Sequence, residues 1–187
     1  MSAPDIRRIV EQVSVVFHCA ATIKFDEELR LSLEMNVHGT QRLVALCHKF
    51  YNLQAFVHAS TAYANCDRKH IIEGVYPPPV QPEKLVDALE WLNDDMVSAL
   101  TPHLIGRRPN TYTFTKALAE HVLANESGGL PIVIVRPSII GAVWKEPMPG
   151  WVDNLNGPTG LLAAVSNYFD NLEYGNLKGL LLLTRLH

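Results

Sequence analysis

The sequence predicts an α/β fold built on a parallel sheet. Three short apolar segments, at 13–20, 52–60 and 131–136, alternate with longer segments whose apolar residues recur every three or four positions. Strands that alternate with helices at this spacing are typical of parallel sheets. The sequence contains no internal repeat and no low-complexity segment, so one α/β domain is the simplest organisation.

The first half of the chain predicts two strands with a helix between them. Residues 13–20 (VSVVFHCA) are apolar and rich in β-branched side chains, as expected of a strand that is buried on both faces. Apolar residues at helical spacing predict a helix over 27–50. Residues 52–60 (NLQAFVHAS) predict a second strand that ends in small, hydroxylated residues.

The second half predicts a long loop, two helices and a third buried strand. Residues 61–82 contain turn-forming residues and the rigid run YPPP, which indicates an ordered loop. Helices are predicted over 82–100 and over 111–125, and Gly128 and Gly129 end the second one. Residues 131–136 (PIVIVR) predict the third strand.

Composition excludes several classes of function. Hydrophobic residues make up 48% of the 187 residues and charged residues 19%, which is typical of a globular domain. The net charge is 16 − 19 = −3 without basic blocks, so a nucleic-acid-binding surface is not expected. Three widely spaced cysteines without a CxxC pattern indicate a reducing, intracellular compartment and no metal site. No apolar run reaches the ~18 residues of a membrane span, so we expect the chain by itself to be soluble.

Small or polar residues follow each predicted strand. Because the carboxyl ends of parallel strands meet at one edge of the sheet, where such sheets bind ligands, we expect these residues to lie together. They are His18, Cys19, Ala20 and Ala21 after the first strand, Ser60 and Thr61 after the second, and Arg136, Pro137 and Ser138 after the third.

Tyr112 and Lys116 lie four residues apart in the predicted helix PNTYTFTKALAE, so they share one helical face. One interpretation is a surface helix with a packed tyrosine and a solvated lysine. The other is a proton-transfer pair, in which the ammonium lowers the pKa of the phenol from its usual value near ~10. Thr61, or alternatively Ser60, could then hold the same substrate oxygen by a hydrogen bond.

The ordered set of motifs resembles a known family. Tyr112-x-x-x-Lys116, NVHGT at 36–40 and RPSIIG at 136–141 resemble the extended short-chain dehydrogenase/reductases. The longer segments VFHCAATIKFDEELR, HASTAYANCDRKHIIE, VYPPPV and WKEPMPGWVDNLNGP are similar to the alcohol-forming fatty acyl-CoA reductases. The resemblance runs from about residue 13 to residue 162.

The resemblance implies an activity and assigns roles to the residues at the strand ends. The activity is the NADPH-dependent reduction of a long-chain acyl-CoA to an aldehyde and then to a fatty alcohol. Tyr112 would donate the proton, Lys116 would lower its pKa and bind the nicotinamide ribose, and Thr61 would orient the carbonyl. The remaining cofactor-binding positions would be Ala20 and Ala21, which allow close approach, and Pro137 and Ser138, which border the nicotinamide.

The sequence also departs from that family. The glycine-rich GxxGxxG loop that binds the cofactor pyrophosphate in the family does not occur here. The expected fold is therefore a partial Rossmann-like doubly wound parallel sheet that lacks its first βαβ units. We expect an incomplete NAD(P)-binding reductase domain over 1–162, with an unpaired strand edge at 13–20, and a divergent tail over 163–187.

This departure leaves an alternative function open. The chain could be a non-catalytic truncated fragment that binds or regulates a full-length reductase, as part of a homo- or hetero-oligomer. Family members are membrane-associated, which implies a peroxisomal or endoplasmic-reticulum membrane location, although no membrane segment is expected in this chain. A serine hydrolase is not supported, since there is no GxSxG motif.

Four further residues receive structural interpretations. His18 and His58 lie at strand ends and are expected to be core or near-site histidines rather than metal ligands. Asn36 could bridge backbone groups near the site or make a polar contact inside a helix. Arg136 is expected to anchor the structure.

Overall fold

The computed structural model describes residues 1–152 and 157–170. It divides into two compact units, Met1–Ser138 and a second that begins at Ile139. The first unit contains α1 (Ala3–Gln12), β1 (Val15–His18), α2 (Leu29–Leu33), α3 (Gly39–Cys47), β2 (Ala55–Ala59), α4 (Pro82–Trp91), α5 (Asp94–Ile105), α6 (Thr111–Glu126) and β3 (Ile132–Val135). A π-helical turn at Glu34–His38 joins α2 to α3, and a short 3-10 helix at Ala62–Asn65 follows β2. The second unit contains α7 (Gly157–Asp170).

The three strands form a parallel sheet in the order β1-β2-β3. His18 lies directly opposite His58 across the first pair of strands, and Ala59 lies opposite Val135 across the second. All three carboxyl ends therefore meet at one edge, with β1 on the outside. This arrangement confirms the predicted α/β class and the parallel sheet.

One face of the sheet is covered by helices and the other is exposed. Phe56 on β2 is fully buried against Val44 of α3 and Leu123 of α6. On the opposite face, Phe17 is 73% exposed and Val133 is 51% exposed. The prediction that the first strand is buried on both faces is wrong, and the third strand, predicted to be buried, is exposed on one face. Apolar composition shows that a strand can be buried on both sides, but it does not show how many elements are present to cover it.

A larger core lies between the helices. It joins α2, the π-helical turn, α4, α5 and α6 through side chains that are at most 5% exposed. Phe114 and Leu118 of α6 are fully buried in it, which makes α6 the central helix of this unit. The other members are Leu29, Leu33, Val37, Leu85, Leu89, Val97 and Val122.

The predicted helices agree with the structure with two kinds of exception: one predicted helix is two separate helices, and two helices were not predicted. Glycine ends α6 as expected, because Gly128 adopts the positive φ of 51° that side chains disfavour. The helix predicted over 82–100 is wrong in its continuity, since Asn93 caps a separate α5 by accepting a hydrogen bond from the Met96 backbone N–H (2.8 Å). The sequence did not predict α1 or α7.

The second unit holds the predicted junction between domain and tail. The boundary at residue 162 falls within α7, and nothing in the structure tests whether 163–187 is a separate tail, so this division stays a prediction. Residues 171–187 of that tail lie outside the described part. Among the helices of the described ranges, none is long and apolar enough to cross a membrane.

Candidate active site

The first turn of α6 places Tyr112 at the carboxyl edge of the sheet. Asn110 caps this helix, and its Oδ1 accepts a hydrogen bond from the Thr113 backbone N–H (2.9 Å). The ring of Tyr112 packs against that of Phe25, with 5.8 Å between the ring centroids. The phenol is half-buried, so one side of it remains accessible.

Thr61 lies beside Tyr112 at the end of β2. The Ala62 backbone N–H donates to the Pro137 carbonyl (2.9 Å), which holds the segment after β2 against the segment after β3. Thr61 is only 5% exposed. Its hydroxyl accepts a hydrogen bond from the Tyr63 backbone N–H (3.2 Å) and lies near enough to the Tyr112 phenol to lower the pKa of that phenol. The structure thus brings together the phenol and the hydroxyl that the sequence placed on different elements.

The protonation of Tyr112 differs from the expectation. Burial raises the pKa of Tyr112 above 10, and the hydrogen bond with Thr61 offsets only part of this. The predicted lowering of this pKa by Lys116 is not found. The physical reason is that the ammonium of Lys116 is held by groups of β2. Tyr112 therefore keeps its proton at neutral pH.

Lys116 is buried beneath the edge of the sheet. It is 3% exposed, so the interpretation of a solvated surface lysine is wrong. Its Nζ donates to the Ala59 carbonyl (2.7 Å) and lies 3.4 Å from Nε2 of His58. Burial lowers the pKa of Lys116 to about 8, although the charges of Glu120 and Cys19 act in the opposite direction. Lys116 can therefore change its charge at mildly alkaline pH.

The two histidines form a buried pair next to Lys116. His18 is 7% exposed and His58 is 1% exposed, and their Nδ1 atoms lie 2.9 Å apart. Burial and the charge of Lys116 lower the pKa of both rings, that of His58 to about 3, so both are neutral at pH 7. The sequence placed both near the site but did not reveal that they contact each other. The sequence did show that each histidine is the last residue on the apolar face of its predicted strand.

Glu120 and Arg136 form a buried ion pair next to the site. Glu120 was not predicted from the sequence. Glu120 is 1% exposed and accepts hydrogen bonds from Arg136 Nε (2.8 Å) and Nη2 (2.7 Å) and from Ser60 Oγ (2.5 Å). Arg136 also donates to the carbonyls of Ile72 and Gly74. Arg136 therefore anchors the loop after β2, as expected. A lone glutamate in a run of small and apolar residues was the available signal for Glu120.

Asn36 fulfils both interpretations that the sequence left open. It belongs to the π-helical turn and is 2% exposed. Its Oδ1 accepts from the Thr22 backbone N–H (2.9 Å), and its Nδ2 donates to Thr115 Oγ1 (2.9 Å). The amide thus ties the segment after β1 to α6, and it does so from inside a helical segment. A π-helical turn often occurs at a functional site.

The residues at the strand ends fit the nicotinamide half of a cofactor. Ala20 is exposed and Ala21 half-buried, so small side chains line the end of β1. Pro137 is half-buried and Ser138 is exposed at the end of β3. An ammonium has three N–H donors, and the two contacts of Lys116 leave the third available. The sequence provides no glycine-rich loop for the pyrophosphate.

A pocket of about 370 Å³ lies near the start of α6, and Thr111 belongs to its lining. Phe25, whose ring packs against that of Tyr112, also lines it, together with Val97 and Ile105 of α5. No group of three or more residues suited to holding a metal ion occurs in the residues that the structure describes.

Comparison with known families identifies the class of protein. The NAD-binding family described as "Male sterility protein" matches residues 1–172. The chain belongs to this family. The chain is also 56% identical over 164 residues to fatty acyl-CoA reductase 1 of Pongo abelii. That alignment covers 88% of this chain and 32% of that protein.

A second curated relative belongs to the same class of enzyme. Fatty acyl-CoA reductase 2 of Mus musculus is 51% identical over 169 residues, covering 90% of this chain and 33% of that protein. The chain thus spans about a third of the length of the curated relatives that it matches. The resemblance to fatty acyl-CoA reductases is confirmed.

The solved structure is a thiolation-reductase di-domain from an archaeal non-ribosomal peptide synthetase. It superposes with a TM-score of 0.54 at 18% identity and covers 88% of this chain and 31% of that one. At this identity the likeness concerns the fold alone. It confirms the Rossmann-like α/β class of this male sterility family member.

Proposed function

We propose that this site belongs to an NADPH-dependent fatty acyl-CoA reductase that converts a long-chain acyl-CoA to a fatty alcohol. The observation that carries the proposal is the meeting of the Tyr112 phenol and the Thr61 hydroxyl at the carboxyl edge of a parallel sheet, with Lys116 one helical turn farther along α6. The identities of 51% and 56% to fatty acyl-CoA reductases support the substrate class.

The residues of this chain supply orientation and protons. Thr61 donates a hydrogen bond that positions the substrate carbonyl oxygen. Tyr112, whose pKa is raised by burial, keeps its proton at neutral pH and gives it to that oxygen. Lys116 donates its third N–H to the ribose. A nicotinamide cofactor supplies the hydride when bound.

The same groups serve two successive reductions. In the first, the carbonyl carbon of the thioester gains a hydride, the bond to sulfur breaks, and the sulfur leaves as the thiol of CoA with one proton. In the second, the aldehyde carbon gains a hydride and Tyr112 protonates the oxygen. Ala20 and Ala21 leave space for the nicotinamide at the end of β1, and Pro137 and Ser138 border it at the end of β3.

The test is to incubate the purified chain with NADPH or NADH and palmitoyl-CoA. Nucleotide fluorescence reports binding, and extraction with mass spectrometry reports fatty alcohol. We expect binding of NADPH in preference to NADH. The Tyr112→Phe variant should lose at least ~100-fold in rate and keep nucleotide binding. Tyr63→Phe is the matched control, because Tyr63 is 42% exposed. If Tyr112→Phe, or the same change in a full-length relative, keeps the rate, the proton-donor role is wrong.

The alternative function is a non-catalytic fragment that binds or regulates a full-length reductase. The observation in its favour is the outer position of β1 in the sheet and the 73% exposure of Phe17. Co-purification of the chain with a full-length relative tests this alternative. Phe17→Lys should abolish the association, and a change in the rate of the relative on addition of the chain would show regulation. Association of two identical chains is the corresponding homo-oligomer.

We also propose a location at the peroxisomal or endoplasmic-reticulum membrane, in keeping with a role in lipid metabolism. The support is the resemblance to fatty acyl-CoA reductases. Imaging of the tagged chain with markers for both organelles tests the location, and an even distribution through the cytosol would contradict it.

A further inference from the structure

Three buried nitrogen-bearing side chains form a row beneath the edge of the sheet. Nζ of Lys116 lies 3.4 Å from Nε2 of His58, and Nδ1 of His58 lies 2.9 Å from Nδ1 of His18. The hydrogen bond between His58 and His18 thus joins the Nδ1 atoms of the two rings. His18 is the most exposed of the three at 7%, and the exposed Cys19 follows it. The row therefore leads from Lys116 towards the surface.

The charge of Lys116 determines where the protons of the two rings lie. A charged ammonium can only donate, so His58 must accept at Nε2 and carry its own proton on Nδ1. The two Nδ1 atoms are within hydrogen-bond distance, so one proton lies between them, and His58 donates it to His18. His18 then carries its proton on Nε2. All hydrogen bonds of the row point outwards from Lys116.

The row can also exist in the opposite direction. When Lys116 is neutral, its lone pair can accept a proton from Nε2 of His58. His58 then accepts at Nδ1 from His18, whose Nε2 carries no proton. The change from the second arrangement to the first takes up one proton at His18 Nε2 and delivers one proton to Lys116. Only protons move, each along one hydrogen bond, and the heavy atoms of the three residues can stay in place.

The surroundings allow this exchange. Among the described residues, no carboxylate forms a hydrogen bond with either imidazole, so neither ring is fixed in one tautomer. The apolar ring of Phe56 also lies near His18, with 6.0 Å between the ring centroids. The charged groups that act on the row are those near Lys116, namely Glu120 and Cys19.

We propose that His58 and His18 form a proton path from the edge of the sheet to Lys116, which lets the buried lysine exchange its proton with water. The balance is one proton in at His18 Nε2, one proton from His18 Nδ1 to His58 Nδ1, and one from His58 Nε2 to Lys116. Water supplies the first proton.

The first experiment is NMR on the unsubstituted chain, and it needs no cofactor or turnover. Long-range ¹H–¹⁵N spectra of the histidine rings distinguish the two tautomers. At pH 6.5 we expect His58 to carry its proton on Nδ1 and His18 on Nε2. Above the pKa of Lys116, which is about 8, both rings should shift towards the opposite tautomer. If both rings keep one tautomer from pH 6.5 to pH 10, the path does not exist.

The second experiment measures proton movement itself. In the chain labelled with ¹⁵N-lysine, the exchange of the Lys116 ammonium protons with water is followed by NMR, and Lys116→Met assigns the signal. His18→Asn and His58→Gln keep a hydrogen-bond acceptor in place of the lost ring nitrogen, but an amide does not pass a proton on. Each should slow the exchange at least about tenfold.

The matched control is His103→Gln, since His103 is exposed on α5 and far along the chain from the row. It should leave the exchange unchanged. A merely structural role of the histidines would be satisfied by the two amide variants, so unchanged exchange in His18→Asn would overturn the proposal. Failure of the proposed function would instead appear as absent alcohol formation with these NMR results intact.

Discussion

The buried ion pair between Glu120 and Arg136 gives the sharpest prediction about stability. Arg136→Met removes two of the three hydrogen bonds that the Glu120 carboxylate accepts, both shorter than 3 Å, and leaves Ser60 as its remaining donor. Glu120 is 1% exposed, so water does not compensate for the loss. Removing one partner of a buried pair costs about 3–5 kcal/mol. A domain is stable by only about 5–15 kcal/mol, so a large share of its stability should disappear.

The assay is urea unfolding followed by far-ultraviolet circular dichroism. The double variant Glu120→Met/Arg136→Met should be more stable than Arg136→Met, because it removes the uncompensated buried charge. Arg42→Met is the matched control: Arg42 and Glu34 form an exposed pair with side-chain exposures of 69% and 49%, and its loss should cost about 0–1 kcal/mol. If Arg136→Met unfolds within 1 kcal/mol of the parent, or if the double variant is the least stable, the reasoning is refuted.

Three other predictions concern single residues. The pKa of Lys116 is about 8 in the folded chain against 10.5 ordinarily, so the unfolded chain binds this proton more tightly between those values. The stability of the parent relative to Lys116→Met should therefore rise from pH 8 to pH 10.5, by up to about 3 kcal/mol in urea titrations, and a fall would contradict the burial of the charge. Phe56→Ala should cost about 3–5 kcal/mol by the same assay and Phe17→Ala less than about 1 kcal/mol, because Phe56 is fully buried and Phe17 is 73% exposed; equal costs would mean that the outer face is covered in solution. Asn36→Ala leaves its buried partners unsatisfied and should lower the unfolding free energy by about 1–3 kcal/mol, whereas a stability equal to the parent would show that water replaces the amide.

Much of the site could be predicted because its signals are local. A helix that starts at Asn110 and ends near Gly128 follows from a capping residue and from glycine, both of which act within a few residues. The meeting of the segments that carry Thr61 and Pro137 follows from parallel strands whose carboxyl ends lie at one edge. Asn93 could also have been recognised as a cap, since the run Asn-Asp-Asp opens α5 with an acidic first turn.

The contacts that could not be predicted depend on register. His18 and His58 are 40 residues apart, and they touch only because β1 and β2 pair with these two residues opposite each other. A shift by one residue would point His58 to the other face. Glu120 and Ser60 are 60 residues apart and meet because α6 packs against β2, which is also a long-range contact. The direction of the Tyr112 pKa shift was likewise out of reach, because it depends on how far the folded chain buries the phenol.

The π-helical turn at Glu34–His38 determines which way two helices face. It joins α2, whose Leu33 belongs to the large helical core, to α3, whose Val44 packs on the sheet. Such a turn holds one residue more than an α-helical path would. Deleting the half-exposed Met35 would restore an ordinary helix and rotate α3 by about 100° around its axis. Val44 would then turn away from Phe56, so a single surplus residue allows one helical segment to supply side chains to two separate cores.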